Sequence, residues 1–147
     1  MIAHGGGHPN TVALPTRMLI LMRRLASVRA PREACGVIFG DGHRRQFERL
    51  AELTNVASSD RTFSFDPEEQ LQLWHEEARR GRIPLALWHS HPRSPPVPSA
   101  TDELCMSMHP SLVHLILHDR QIRAYRWKGR RVISQDLVLL PGSIRVD

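Results

Sequence analysis

Apolar and polar positions along this 147-residue chain follow two rhythms, one with a period near 3.6 and one with a period of 2. Beyond Pro15, apolar residues fall at Met18, Leu19, Met22, Leu25 and Ala26, a stripe that predicts a helix facing a core and ending at Ala30-Pro31. Residues 11–14 ahead of it read as a short strand. Pro15 suits the first helical turn, where its missing N–H is not needed. Residues 34–39 form a short apolar run, expected as a strand. A turn at Gly40-Asp41-Gly42 then leads into a returning strand over residues 44–53. Residues 55–61 are a polar connection, after which Phe63 and Phe65 alternate with polar neighbours as an extended segment does. Asp66 stands as an N-cap before Pro67, and Glu68 and Glu69 place negative charge where the helix dipole favours it. This second helix is expected to run to about Arg80, to stop at Gly81, and to turn Leu71, Trp74 and Ala78 inward.

Residues 84–88 (PLALW) are wholly apolar, as a central strand buried on both faces would be. They run directly into His89-Ser90-His91-Pro92 and a loop stiffened by prolines, RSPPVP. Ser99 opens a third helix reaching about Met108. Residues 112–117 read as a strand, His118-Asp119-Arg120 as a turn, and residues 121–127 and 131–139 as a hairpin about Lys128-Gly129. The order is strand, helix, hairpin, helix, strand, helix, strand, hairpin, with no internal repeat. It predicts an α+β fold, a mixed, mostly antiparallel sheet flanked by helices. Residues 1–10, with three consecutive glycines, read as a flexible tail before a single domain over residues 11–147.

Composition narrows the function classes. Apolar residues make up 41% of the chain, enough for one core without a disulfide scaffold. Cys35 and Cys105 form no CxxC pair, which excludes a cysteine-rich zinc site and leaves two reduced thiols in a cytoplasmic protein. No apolar run approaches the ~20 residues that span a bilayer, and residues 1–10 lack a signal-length apolar stretch, so no membrane partner is expected. The net charge is +5, and all but one of the 20 basic residues are Arg, the exception being Lys128. A basic nucleic-acid-binding domain is one reading of that charge. It is disfavoured because the arginines are scattered in pairs and aromatics are only 5%, with Trp74, Trp88 and Trp127 all in apolar patterns. A basic surface suits an acidic protein partner equally well. The oligomeric state is left open.

The chemistry concentrates after the buried strand. Residues i and i+2 of a strand point to one face, so His89 and His91 aim two imidazoles at one point. Asp102, in the first turn of the next helix, can fold back over that point. Two histidines and a carboxylate leave a fourth tetrahedral position open, the pattern of a catalytic rather than a structural zinc site. Glu33, opening the strand at residues 34–39, is a candidate base. Each element also has a plain alternative: a surface His pair, a Ser99-x-x-Asp102 capping box, and a solvated Glu33. His109, His114 and His118 share no such spacing. His114 lies in an apolar strand and reads as a core residue, while His43 and His75 read as surface.

The run Glu33, then His89-Ser90-His91, seven residues, Ser99, two residues and Asp102 resembles the signature of the JAMM (MPN-domain) metalloproteases. PREACGVIFG is similar to that family's Glu-x-Cys-Gly strand, and HSHP followed by PSATD to its metal loop. The resemblance spans about residues 11–140. It implies one Zn2+ per chain on His89, His91 and Asp102, Glu33 as general acid/base, and Ser99 stabilising an oxyanion. The activity it implies is hydrolysis of an amide or isopeptide bond by a metal-activated water. The size resembles the small stand-alone bacterial members, which implies a ubiquitin-like or sulfur-carrier protein as substrate, cut after its C-terminal Gly-Gly. A catalytically silent MPN scaffold that binds a partner is the alternative within the family. Silent members typically lose a ligand, and every one is kept here.

Overall fold

The computed structural model describes residues 11–141; the expected tail at residues 1–10 lies outside them. The elements in chain order are β1 (Thr11–Pro15), α1 (Thr16–Arg29), β2 (Cys35–Gly40), β3 (Phe47–Leu53), α2 (Pro67–Arg79), β4 (Ile83–Ser90), α3 (Ala100–Met108), β5 (Val113–His118), β6 (Gln121–Lys128) and β7 (Arg131–Leu140). The strands form one mixed sheet in the order β1-β7-β6-β5-β4-β2-β3. β1 runs parallel to β7 and β4 parallel to β5, while the other neighbours are antiparallel. The chain is thus the expected α+β domain, with helices covering both faces of the sheet.

Alternation along the strands sorts the core into two sides. Ala86 and Trp88 of β4 join Met18 and Met22 of α1, together with Leu14, Ile38 and Leu115. Leu87, between them, faces the other way and packs with Val37, Phe39 and Leu73 of α2. Met106 of α3 meets Ile116 and Tyr125 in a third cluster. Continuing the alternation from Leu87 puts His89 on the side of α2 and α3.

Strand β2 is the bridge between the β3 edge and the centre. Gly36 lies opposite Trp88 in the ladder, and the Trp88 indole N–H reaches across it to donate to the Ala51 carbonyl on β3 at 3.2 Å. A Cβ at Gly36 would run into both the Ala51 carbonyl and the indole ring, so only glycine allows this crossing. The same ladder pairs Cys35 with His89. Extended by two residues, it sets Glu33 level with His91. The Ser90 N–H donates to Ala34 O at 2.9 Å, and the Ala34 N–H to Ser90 Oγ at 2.8 Å, so the pairing persists past the end of β2.

Several boundaries differ from the sequence expectation. Pro15 closes β1, paired with Leu140, and α1 starts one residue later. β3 begins at Phe47 because Asp41 Oδ1 accepts the His43 N–H at 2.7 Å and holds the preceding residues in a turn. In α2 the inner face is Leu73, Trp74 and Glu77, while Leu71 is 60% exposed and Ala78 is also exposed. An acidic side chain fills the slot that periodicity assigns to an apolar one. Glu77 is fully buried, with Arg49 on one carboxylate oxygen and Arg82 Nε on the other at 2.8 Å. Removing the acid breaks two charge-assisted contacts, while the two arginines left behind, 38% and 21% exposed, keep partial access to water. Glu77→Ala is expected to cost about 1.5 kcal/mol, measured as a lower urea midpoint at unchanged m-value; a cost under about 0.5 kcal/mol, the range of ordinary surface substitutions, would refute the structural role of this network.

Candidate metal centre

The end of β4, the approach to β2 and the first turn of α3 converge on one point. His89 Nε2 lies 3.1 Å from His91 Nε2 and 3.1 Å from Asp102 Oδ1. His91 Nε2 lies 3.0 Å from Asp102 Oδ2. Glu33 joins them: one ligand atom from each of Glu33, His89, His91 and Asp102 lies within 4.8 Å of the other three. All four residues are buried, at 3–5% exposure.

Each is held from behind. Asp102 is the N3 residue of α3 in a capping box: its N–H donates to Ser99 Oγ at 3.1 Å, and its Oδ2 accepts the Ser99 N–H at 3.0 Å. The His91 Nδ1–H donates to the Pro95 carbonyl at 2.9 Å, which turns Nε2 toward the cluster. The His118 Nδ1–H donates to the His91 carbonyl at 2.7 Å. The His89 ring stacks on Phe63, centroids 4.6 Å apart at 28°. Asn55 ties the connection between β3 and α2 to the site. Its Nδ2 donates to Glu33 O at 3.0 Å and to Thr62 O at 3.1 Å, while its Oδ1 accepts the N–H groups of Ala57 and Ser64.

The electrostatics follow from burial. Desolvation pushes the Glu33 carboxyl up to about 7, with His91 opposing and Asp102 adding to the rise. Burial also works against the charged form of Asp102, but hydrogen bonds from His89 and His91 outweigh it and hold that carboxyl well below the usual carboxylate range. Burial lowers His89. For His91 it is outweighed by the bonds to Asp102 and Pro95, which raise the imidazole. Among the described residues, Glu33 Oε1 is the one buried side-chain N or O atom with no hydrogen-bond partner. A carboxylate oxygen without a donor, beside two imidazoles and a second carboxylate, is a set of nitrogen and oxygen ligands that fits a borderline divalent cation.

The structure therefore brings Glu33, His89, His91 and Asp102 together. Ser99 sits one turn from them, with its oxygen engaged by the Asp102 N–H. The thiols are not part of the cluster: burial raises Cys35 to about 12, and Cys105 packs, partly buried, against the Val37–Phe39–Leu73 side of the core. His114 is a core residue, its Nε2–H donating to His109 O at 3.2 Å. Sequence reasoning missed Asn55, Phe63 and His118. Phe63 showed only an extended alternation and His118 only a turn, so neither carried a signal of contact with the site. Trp88 is buried, Trp74 meets Phe39 edge to face at 5.3 Å, and Trp127 packs on the third cluster, so none is free to stack on a base. No helix among the described residues is long and apolar enough to cross a membrane.

Comparison with known proteins agrees with this geometry. Residues 15–128 match the model of the prokaryotic homologues of the JAB domain. The chain is 38% identical over 101 residues to a desampylase of Haloferax volcanii, covering 67% of this chain and 72% of that protein. It is 30% identical over 101 residues to the CysO-cysteine peptidase of Mycobacterium tuberculosis, covering 65% and 68%. A solution structure of a protein from Desulfitobacterium hafniense superposes with a TM-score of 0.76 at 29% identity, over 88% of this chain and 93% of that one. The chain is a hydrolase of the JAMM type. It belongs to the family of prokaryotic homologues of the JAB domain.

The position of Glu33 makes a pH prediction. Its carboxyl is raised above its unfolded value, so the stability it contributes is complete below the ordinary 4.5 and is lost as pH rises through about 7. In chelator-treated protein, the urea midpoint of Glu33→Gln should gain on that of the native chain between about pH 5 and about pH 8. A constant difference across that range would mean that Glu33 does not titrate in a desolvated setting.

Proposed function

We propose that this chain is a zinc-dependent peptidase or isopeptidase that cleaves the amide bond after the C-terminal Gly-Gly of a ubiquitin-like or sulfur-carrier protein. The observation that carries the reading is the buried convergence of Glu33, His89, His91 and Asp102, with one carboxylate oxygen of Glu33 left without a donor. In this reading His89, His91 and Asp102 hold one zinc ion per chain. When bound, zinc supplies Lewis acidity, polarising the scissile carbonyl and lowering the pKa of water.

The protein's own groups divide the remaining work. Glu33 Oε1 takes a proton from the attacking water and returns it to the leaving nitrogen, a role for which a desolvated carboxyl near neutrality is suited. Asp102, anchored by the Ser99 box, keeps both oxygens toward the histidines. The Ser99 hydroxyl accepts from Asp102 and retains its own proton, which it can donate to the oxygen that gains negative charge as the carbonyl becomes tetrahedral. Phe63 and the Asn55-anchored connection exclude water from the His89 side, strengthening every charge interaction within.

Two relatives, named a desampylase and a CysO-cysteine peptidase, support a small protein carrier as the substrate class. The arginine-rich composition suits an acidic partner through electrostatic steering. Metal content by mass spectrometry, combined with cleavage of a Gly-Gly-ended carrier fusion followed by intact mass, tests the proposal. Native protein should carry about one zinc per chain, and His89→Ala and Asp102→Ala should lose it. Glu33→Gln should keep zinc while turnover falls by about 10²–10⁴-fold. Zinc lost from Glu33→Gln would make Glu33 a ligand rather than the base. Zinc retained in His89→Ala would show that the ligand set is wrong.

A further inference from the structure

The segment between β4 and α3, residues 92–98, has proline at positions 92, 95, 96 and 98 and so carries few N–H groups with which to build structure of its own. It is held instead at two adjacent carbonyls. The Pro95 carbonyl accepts the Nδ1–H of His91 at 2.9 Å. The next carbonyl, of Pro96, accepts the hydroxyl of Tyr125 at 2.6 Å. Tyr125 comes from β6, separated from β4 by β5, and is 7% exposed with its ring packed on Met106 and Ile116. Inside the segment, the Val97 N–H turns back to Pro95 O at 2.7 Å, and Pro96 is buried while Ser94, Pro95 and Val97 are exposed. The Tyr125 hydroxyl is thus the tether, on the sheet side, of a strap whose preceding carbonyl orients an imidazole of the metal centre.

We propose that Tyr125 is a positioning residue for His91, acting through the strap. Its hydroxyl fixes the Pro96 carbonyl, the stiff Pro95-Pro96 pair passes that position back by one peptide, and Pro95 O then holds the His91 ring with Nε2 facing Glu33, His89 and Asp102. The Tyr125 hydroxyl bonds to Pro96 O and to none of the four clustered residues. Its effect is on the orientation of a ligand ring, one contact further out than Pro95 O, the direct partner of the kind whose removal weakens metal binding about 10–100-fold. The proposal rests on reading His91 as a ligand, and its test separates the two.

The experiment compares native protein, Tyr125→Phe and His91→Ala. Zinc affinity is measured by competition with a chromogenic chelator. Hydrogen exchange of the Arg93, Ser94 and Val97 amides is followed by mass spectrometry in chelator-treated protein. Phenylalanine keeps the ring packing, so the thermal midpoint of the metal-free Tyr125→Phe chain serves as the control for a merely structural effect. Expected are faster exchange in the strap and a zinc dissociation constant about 10-fold higher in Tyr125→Phe, the low end of that range, with total loss of binding in His91→Ala. Native affinity in Tyr125→Phe alongside loss in His91→Ala overturns the proposal and leaves the ligand reading standing. Native affinity in both variants overturns the ligand reading and the proposal with it. Unchanged exchange in the strap of Tyr125→Phe overturns the proposal whatever the metal does.

Discussion

The antiparallel pairing of β2 with β4 sets Cys35 against His89, and Ala34, just before β2, bonds Ser90, 56 residues on; everything at the candidate metal centre depends on this register. With Cys35 opposite His89, Glu33 comes level with His91, just past the strand ends where backbone pairing gives way to side-chain chemistry. A slip of one residue would turn both histidines to the α1 side of the sheet. Trp88 guards against that slip: its indole N–H bonds to Ala51 across Gly36, so a buried hydrogen bond and a steric lock hold β4, β2 and β3 in one alignment. The residue just before His89 is therefore as much a part of the site's construction as the four clustered residues themselves.

The cluster itself works against stability. Four ionisable side chains lie buried together, and one carboxylate oxygen has no partner. Burying such a group without compensation costs on the order of several kcal/mol. The fold tolerates this because Asp102 is stabilised by both imidazoles and by the Ser99 N–H, because His91 is braced at its second nitrogen, and because a cation would satisfy what remains. Contrast Glu77, an equally buried carboxylate on α2. Each of its oxygens has a guanidinium partner, Arg49 on one and Arg82 on the other. One buried acid is closed by arginines; the other keeps an oxygen without a donor, beside two imidazoles and a second carboxylate.

The helix cap of α3 shows how local and functional requirements share atoms. Ser99 and Asp102 form an ordinary capping box, satisfying two donors at the helix start. The same box presents Asp102 Oδ1 and Oδ2 to the two histidines. A serine–aspartate pair at this spacing therefore reads both as a plain helix start and as half of a candidate metal centre; in this molecule the cap forms, and the same aspartate joins the His89–His91–Glu33 cluster.

What the sequence determined alone was considerable. The period-2 and period-3.6 patterns gave the order of strands and helices. The i, i+2 spacing of His89 and His91 after a wholly apolar strand, and the Ser99-x-x-Asp102 cap, marked the candidate ligands, because these depend on local geometry that every strand end and helix start shares. Other features were decided only by tertiary structure. Glu33 joined the site through strand register, which no local pattern encodes. The inner face of α2 shifted from Leu71 and Ala78 to Leu73 and Glu77 because two arginines from β3 and from the approach to β4 made a buried acid stable there. Phe63, Asn55, His118 and Tyr125 make their contacts with residues distant in the chain. Local sequence fixes where a side chain points along its own element; which neighbour it meets is set by how the whole sheet closes.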